Sequence, residues 1–235
     1  FLSMFFIYFF FSFQGHSQSL KVATDISPIY SLVARVLDGV GKPELIIQHG
    51  ASPHEYSLRP SEAESLYDAD LIFYSGNALS PNFVKALKNI KSETEVINLS
   101  LIKGVERLPF RTGAFFDSHS DDHDDHDTHK EHDEVKVFDP HLWLSPKNGK
   151  LWVKVIAAEL SHHDPQNEKI YMDNATSAIA EIDEVVRSTK RLLSDVHEIK
   201  FIVFHDAYQY FENHFEISAL GSIVFADATK PTPSR

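Results

Sequence analysis

Short apolar runs alternate with helix-like stretches through the first hundred residues of the chain. Residues 20–24, 44–48 (ELIIQ), 69–74 (ADLIFY) and 95–99 are the runs, and they read as buried strands. Residues 28–37, 60–67 and 82–90 read as helices between them, the second opened by Pro60-Ser61-Glu62. Strands and helices in this alternation predict a parallel sheet with crossover connections.

After Pro146 the pattern turns strongly helical. Asp164 and Pro165 supply an N-cap and a first-turn proline. Ile170, Ala175, Ala178, Ile179, Ile182, Val185, Val186, Leu192, Leu193 and Val196 then recur at helical spacing. A helix over 165–195 would extend roughly 45 Å, as long as a small domain is wide, and is expected to tie two domains together. Residues 200–204 read as a strand, 207–214 as a helix and 217–225 as more strand. That remainder is too short for a second α/β domain like the first, so the C-terminal lobe is expected to be incomplete in this chain.

Two segments stand apart. Residues 1–13 hold seven Phe and no charge, too short a run to span a bilayer. The run matches the apolar core of a secretory signal, with Gly15 and Ser17 as small residues before a cut ahead of Gln18. Residues 117–134, DSHSDDHDDHDTHKEHDE, contain no large apolar side chain and read as a disordered loop. The expected organisation is a signal peptide over 1–17, an N-terminal α/β lobe over 18–163 carrying that loop, a linking helix over 164–195 and the start of a C-terminal α/β lobe over 196–235.

Charge and composition narrow the chemistry. The net charge of −12 argues against nucleic acid or an anionic membrane surface as partner. The loop's seven Asp, two Glu and one Lys account for −8 of it, leaving the rest of the chain nearly neutral. With no cysteine, disulfides, thiolate zinc sites, thiol catalysis and a cysteine-borne lipid are excluded. The expected location is the periplasm, without a lipid anchor.

Three histidines outside the loop occupy positions where ligands gather. His54 follows the 44–48 run in GASPHEYSLRPSE, His141 lies in FDPHLWLSP, and His205 closes the strand KFIVF. Open α/β sheets collect ligands at the carboxyl ends of their strands, where His54 and His205 fall. Three neutral imidazoles with one carboxylate or water complete a zinc tetrahedron. A single histidine beside a strand end is more often an ordinary satisfied polar residue, so the weight rests on the three contexts together. His16, His49, His162, His163, His197 and His214 read as ordinary solvated or helix-surface residues.

Those contexts carry a resemblance. GASPHEYSLRPSEAESLYDADLIFYSG (50–76), DPHLWLSP (139–146) and FHDAYQYF (204–211) resemble the metal-binding receptors of bacterial ABC importers, in particular the ZnuA-like zinc receptors. The resemblance runs from about residue 20 to the chain's end and implies two α/β lobes joined by one rigid helix, with metal in the cleft. It places the family's first three ligands on His54, His141 and His205. It also implies a monomeric, non-catalytic protein that captures Zn2+ and delivers it to an ABC permease in the inner membrane. Manganese receptors of the family tend to carry a carboxylate at the third position, whereas His205 gives three nitrogens and favours zinc.

Two departures leave the fourth ligand open. Pro53 stands where some zinc receptors have an acidic residue, and the family's acidic position in the C-terminal lobe falls beyond Arg235. Other readings are a manganese receptor on the same scaffold, a surface adhesin or a zinc hydrolase. The hydrolase lacks an HExxH helix, because His54-Glu55 is followed by Leu58 where the second histidine is needed.

In the loop, His119, His123, His126, His129 and His132 recur among carboxylates and form a weak accessory metal site. Zinc members of the family often carry such a loop between the first two ligands. Deleting residues 117–134 is expected to remove weak zinc equivalents in calorimetry while one tight site survives. Loss of the tight site instead would contradict that division.

Overall fold

The computed structural model describes residues 20–111, 116, 138–196 and 199–224. The signal segment, the histidine-rich loop with its five histidines, His16 and His197 all lie outside the described residues.

Val22–Thr24 (β1), Glu44–Leu45 (β2), Leu71–Tyr74 (β3) and Glu95–Asn98 (β4) form one parallel sheet in the order β2-β1-β3-β4. Ser27–Val36 (α1), Pro60–Asp68 (α2) and Pro81–Ala86 (α3) are the crossovers. Leu71, Ile72 and Phe73 are completely buried, and unbroken apolar runs of this kind are what sheets covered on both faces require. α1 turns Ile29, Val33 and Val36 inward at helical spacing.

The ELIIQ run pairs for less of its length than its hydrophobicity suggests. Ile46 and Ile47 leave the strand yet stay buried, their N–H groups donating to Thr24 and Asp25 carbonyls at 3.0 and 2.9 Å. Burial, not strand pairing, explains their apolar character.

Two antiparallel helices follow, Pro146–His163 (α4) and Glu168–Leu193 (α5). α5 has 26 residues, which corresponds to about 39 Å. It starts later than the sequence suggests, because Pro165–Asn167 forms a 3-10 turn. The Asp164 side chain makes no cap hydrogen bond to the turn that follows it. Its Oδ2 accepts instead from the Tyr171 hydroxyl at 2.8 Å and from Asn167 Nδ2 at 2.7 Å. Tyr171 is fully buried, and a buried phenol left unpaired would be strongly unfavourable, so the carboxylate turns to it. The first half of α5 packs on α4 and α1 through Tyr171, Ala175 and Ala178, whereas Val185 and Leu192 further along are exposed.

Beyond α5, Val203–His205 (β5) and Ser222–Val224 (β6) pair in parallel, with Gln209–Phe215 (α6) between them. Tyr210 and Phe215 on α6 are buried. The described residues therefore form two parallel sheets, with α5 between them in the chain. Among the described residues, no helix is long and apolar enough to cross a membrane.

The first sheet's strand order reverses at β1, which has β2 on one side and β3 on the other. At this switch point Asp25 is fully buried, its carboxylate accepting from Ile26 N (2.8 Å), Ser75 N (2.8 Å) and Ser75 Oγ (2.5 Å). Burial outweighs those three donors and pushes the Asp25 pKa up to about 6. The folded state thus holds this proton more tightly than the unfolded chain. The resulting stability is complete at low pH and is lost as pH rises through about 6. Asp25→Asn should remove this titration. Urea unfolding should show the variant gaining about 1 kcal/mol on wild type between pH 5 and 7. A constant difference would place the Asp25 pKa in the ordinary range.

Candidate metal centre

His54 stands in the connection from β2 to α2. Gln48 Nε2 donates to Leu45 O at 2.7 Å, Ala51 N to Gln48 O at 3.1 Å, and Gly50 between them adopts φ +79°, where a side chain would be strained. On the far side of His54, Glu62 is the anchor. Its Oε1 accepts from the Tyr56 hydroxyl at 2.7 Å and its Oε2 from Arg59 N at 2.8 Å, the latter at the start of α2. Two residues from His54, Tyr56 is thereby fixed by a carboxylate that is itself buried. The spacing of HEYSLRPSE encodes this local brace.

His141 opens a 3-10 turn, Leu142–Leu144, that runs into α4. Ser145 caps α4 by accepting from Asn148 N and donates to Glu106 Oε2 at 2.7 Å. Asn148 Nδ2 in turn donates to Leu142 O at 3.1 Å. Asp139 Oδ1 accepts from His141 N at 2.9 Å and pairs with His141 Nδ1 at 2.7 Å. With Nδ1 so engaged, the proton sits on Nδ1 and Nε2 presents its lone pair. His141 is only 4% exposed, and its Nε2 is buried without a hydrogen-bond partner. An acceptor nitrogen left so is unfavourable unless something else satisfies it.

His205 is the last residue of β5, in register with Val224 of β6. It comes from the second sheet, and Tyr210 of α6 links that unit to the first. The buried Tyr210 hydroxyl donates to Asp139 O at 2.9 Å and accepts from Leu108 N at 2.9 Å.

The three histidines converge. One nitrogen from each of His54, His141 and His205 lies within 4.8 Å of the others. Ring centroids are 4.9 Å apart for His141 and His205, 5.6 Å for His54 and His141, and 5.7 Å for His54 and His205. The rings meet edge to face, and Trp143 packs against His141 at 5.3 Å. Nitrogens bound to one tetrahedral zinc, each about 2 Å from it, stand about 3.3 Å apart, so modest side-chain shifts would bring these to bonding distance. The orphaned Nε2 of His141, the all-nitrogen donor set and the spacing all fit a zinc-sized, borderline-soft cation.

The remaining histidines stand elsewhere. His49 Nδ1 meets Ser27 Oγ at 2.8 Å, and His163 Nε2 meets Glu95 Oε2 at 2.8 Å. His214 is less solvated than its mixed helix suggests: its Nε2 is buried, and burial together with Lys190 lowers its pKa. Of the carboxylates beside the triad in sequence, Glu55 is exposed and Asp206 is engaged by Arg111. Sequence reasoning missed Asp139, Tyr210 and Arg111. Asp139 and Tyr210 stood within the segments DPHLWLSP and FHDAYQYF, whereas Arg111 stood in neither.

Three imidazoles that converge from a loop, the start of a 3-10 turn and a strand end suit a receptor for a metal ion. A family model described as "Zinc-uptake complex component A periplasmic", ZnuA, matches residues 22–235, and the chain belongs to that family. The high-affinity zinc uptake system protein ZnuA of Brucella abortus (strain 2308) is 37% identical over 236 aligned positions, covering 91% of this chain and 70% of that protein. A crystal structure of ZnuA superposes with TM-score 0.72 at 21% identity, covering 92% of this chain and 74% of that one. A Mn-bound periplasmic metal binding protein from Candidatus Liberibacter asiaticus gives TM-score 0.70 at 19% identity, covering 91% and 72%.

Asp139→Asn tests how much the orientation of His141 matters. Loss of a carboxylate behind a metal-binding imidazole typically lowers affinity about 10–100-fold. Zinc titration against a chromophoric chelator should show a loss of that order, with the metal-free melting temperature largely kept.

Proposed function

We propose that this protein captures Zn2+ in the periplasm through His54, His141 and His205 and delivers it to an ABC-type permease, without catalysing a reaction. The observation that carries the reading is the convergence of three imidazole nitrogens within 4.8 Å, drawn from stretches far apart in the chain. Family membership supports the periplasm and the permease. In this reading residues 1–17 direct export, 18–163 form one lobe, 164–195 the link and 196–235 belong to the other. The protein works as a monomer, and residues 117–134 gather zinc loosely.

Zinc is favoured over manganese by the donor set. Manganese prefers carboxylate and water oxygen, whereas imidazole suits zinc. The nearby carboxylates are already committed: Asp139 to His141, and Asp206 to Arg111. The fourth position falls to water or a further side chain.

The same commitments disfavour a hydrolase. Neither Asp139 nor Asp206 is free to act as a general base toward metal-bound water, and Glu55 beside His54 is exposed to solvent. Hydrolytic turnover that required His141 would revive that alternative.

Direct binding measurements test the proposal. His54→Ala, His141→Ala and His205→Ala should each weaken zinc by at least about tenfold, while the metal-free proteins remain folded. Binding must displace protons from imidazoles, which ordinarily titrate near 6.5, so wild-type affinity should fall as pH drops below about 6. Zinc binding unchanged in all three variants, or manganese outcompeting zinc at equal concentration, would refute the assignment.

A further inference from the structure

We propose that Arg111 is a positioning residue for the metal site, clamping the strand end that carries His205 to the segment that braces His141. The proposal rests on the zinc-site reading above and adds a residue outside the ligand set.

Arg111 lies in the polypeptide leading out of the first lobe, yet its side chain reaches the second sheet. Nε donates to Asp206 Oδ1 at 3.1 Å, and Nη2 closes a second bond to the same oxygen. Nη1 donates to Glu212 Oε2 at 2.8 Å and Nη2 to Glu212 Oε1 at 3.0 Å. One guanidinium fork thus holds Asp206, the residue after His205, and Glu212 on α6. The Phe116 ring covers the guanidinium carbon at 3.8 Å. Exposure is 17% for the Arg111 side chain, 8% for Asp206 and 6% for Glu212. A planar fork paired at both ends fixes direction as well as distance, which a lysine point charge would not do.

The clamp belongs to a continuous path between two ligands. Asp139 holds His141, and Asp139 N donates to Leu108 O at 2.9 Å. Leu108 N donates to the Tyr210 hydroxyl at 2.9 Å, three residues before Arg111. Arg111 then grips Asp206 beside His205, and Phe116 N donates to Leu220 O at 2.9 Å in the same unit. Leu108, Arg111 and Phe116 therefore tie the second sheet and α6 to this segment at three points. Removing the guanidinium would leave two buried carboxylates facing each other without a cation, an arrangement that forces the strand end to move.

Electrostatics and geometry predict opposite signs, which makes the test sharp. Arg111→Gln makes the neighbourhood more negative, whereas Asp206→Asn makes it less so. A role through the electric field would tighten zinc in the first variant and weaken it in the second. A positioning role weakens zinc in both. Competition titrations on R111Q, D206N, R111K, H205A and the double variant R111Q/H205A, with metal-free melting temperatures, separate the cases. R111Q and D206N are each expected to lose about 10–100-fold in zinc affinity, the range seen when a residue supporting a ligand is removed. R111K should recover part of the loss. In the H205A background R111Q should change affinity less than about twofold, because the ligand it positions is gone. Opposite signs for R111Q and D206N, no loss in R111Q, or an equal loss in both backgrounds would overturn the proposal. Should H205A alone bind zinc like wild type, the site assignment would fail, an outcome distinct from failure of the clamp.

Discussion

Three imidazole nitrogens held within 4.8 Å of one another set the constraint that the surrounding structure answers. Neutral rings have no net charge to draw them together, and ordering each side chain is entropically unfavourable. The fold meets this by a different device at each position. A carboxylate braces the loop beyond His54, a carboxylate at the back of the ring orients His141, and a strand terminus presents His205. Preorganisation of this kind lets the free energy of metal binding go into affinity instead of into arranging the ligands.

The carboxylates around the site share a property. Glu62, Asp139, Asp206 and Glu212 each accept from a protein donor, and Arg111 neutralises the last two together. Where the three rings meet, nitrogens stand close together, while the oxygens of these four carboxylates are turned toward protein hydrogens. This division of donor types suits a borderline cation better than a hard one. It is a matter of where the lone pairs point, since acidic residues are plentiful nearby in sequence.

Much of this architecture is legible in the sequence, for identifiable reasons. The strands β1 and β3 stand out because burial on both faces favours apolar side chains, and the edge strand β4 keeps only Val96 and Ile97 between polar ends. Their ends are less legible: Ile46 and Ile47 are equally apolar whether paired in a strand or merely covered. Asp164 reads as a helix cap locally, but the buried hydroxyl of Tyr171, one helical turn into α5, claims its oxygen. The histidines are legible because each sits in a distinctive local phrase. Arg111 is not, because its partner Asp206 lies 95 positions away and no local pattern announces a pairing that only the folded chain creates.

The order of the histidines along the chain has a temporal consequence. All four strands of the first sheet are in place by residue 98, and the described strands of the second sheet come only from residues 203–224. A polypeptide emerging from the ribosome or threading through a membrane channel from its N-terminus presents the first two imidazoles well before the third. A nascent or half-exported chain therefore lacks one of the three converging rings until the strand ending at His205 has docked. The position of one late strand thus makes the meeting of the three imidazoles a property of the finished molecule and of no earlier stage of its synthesis.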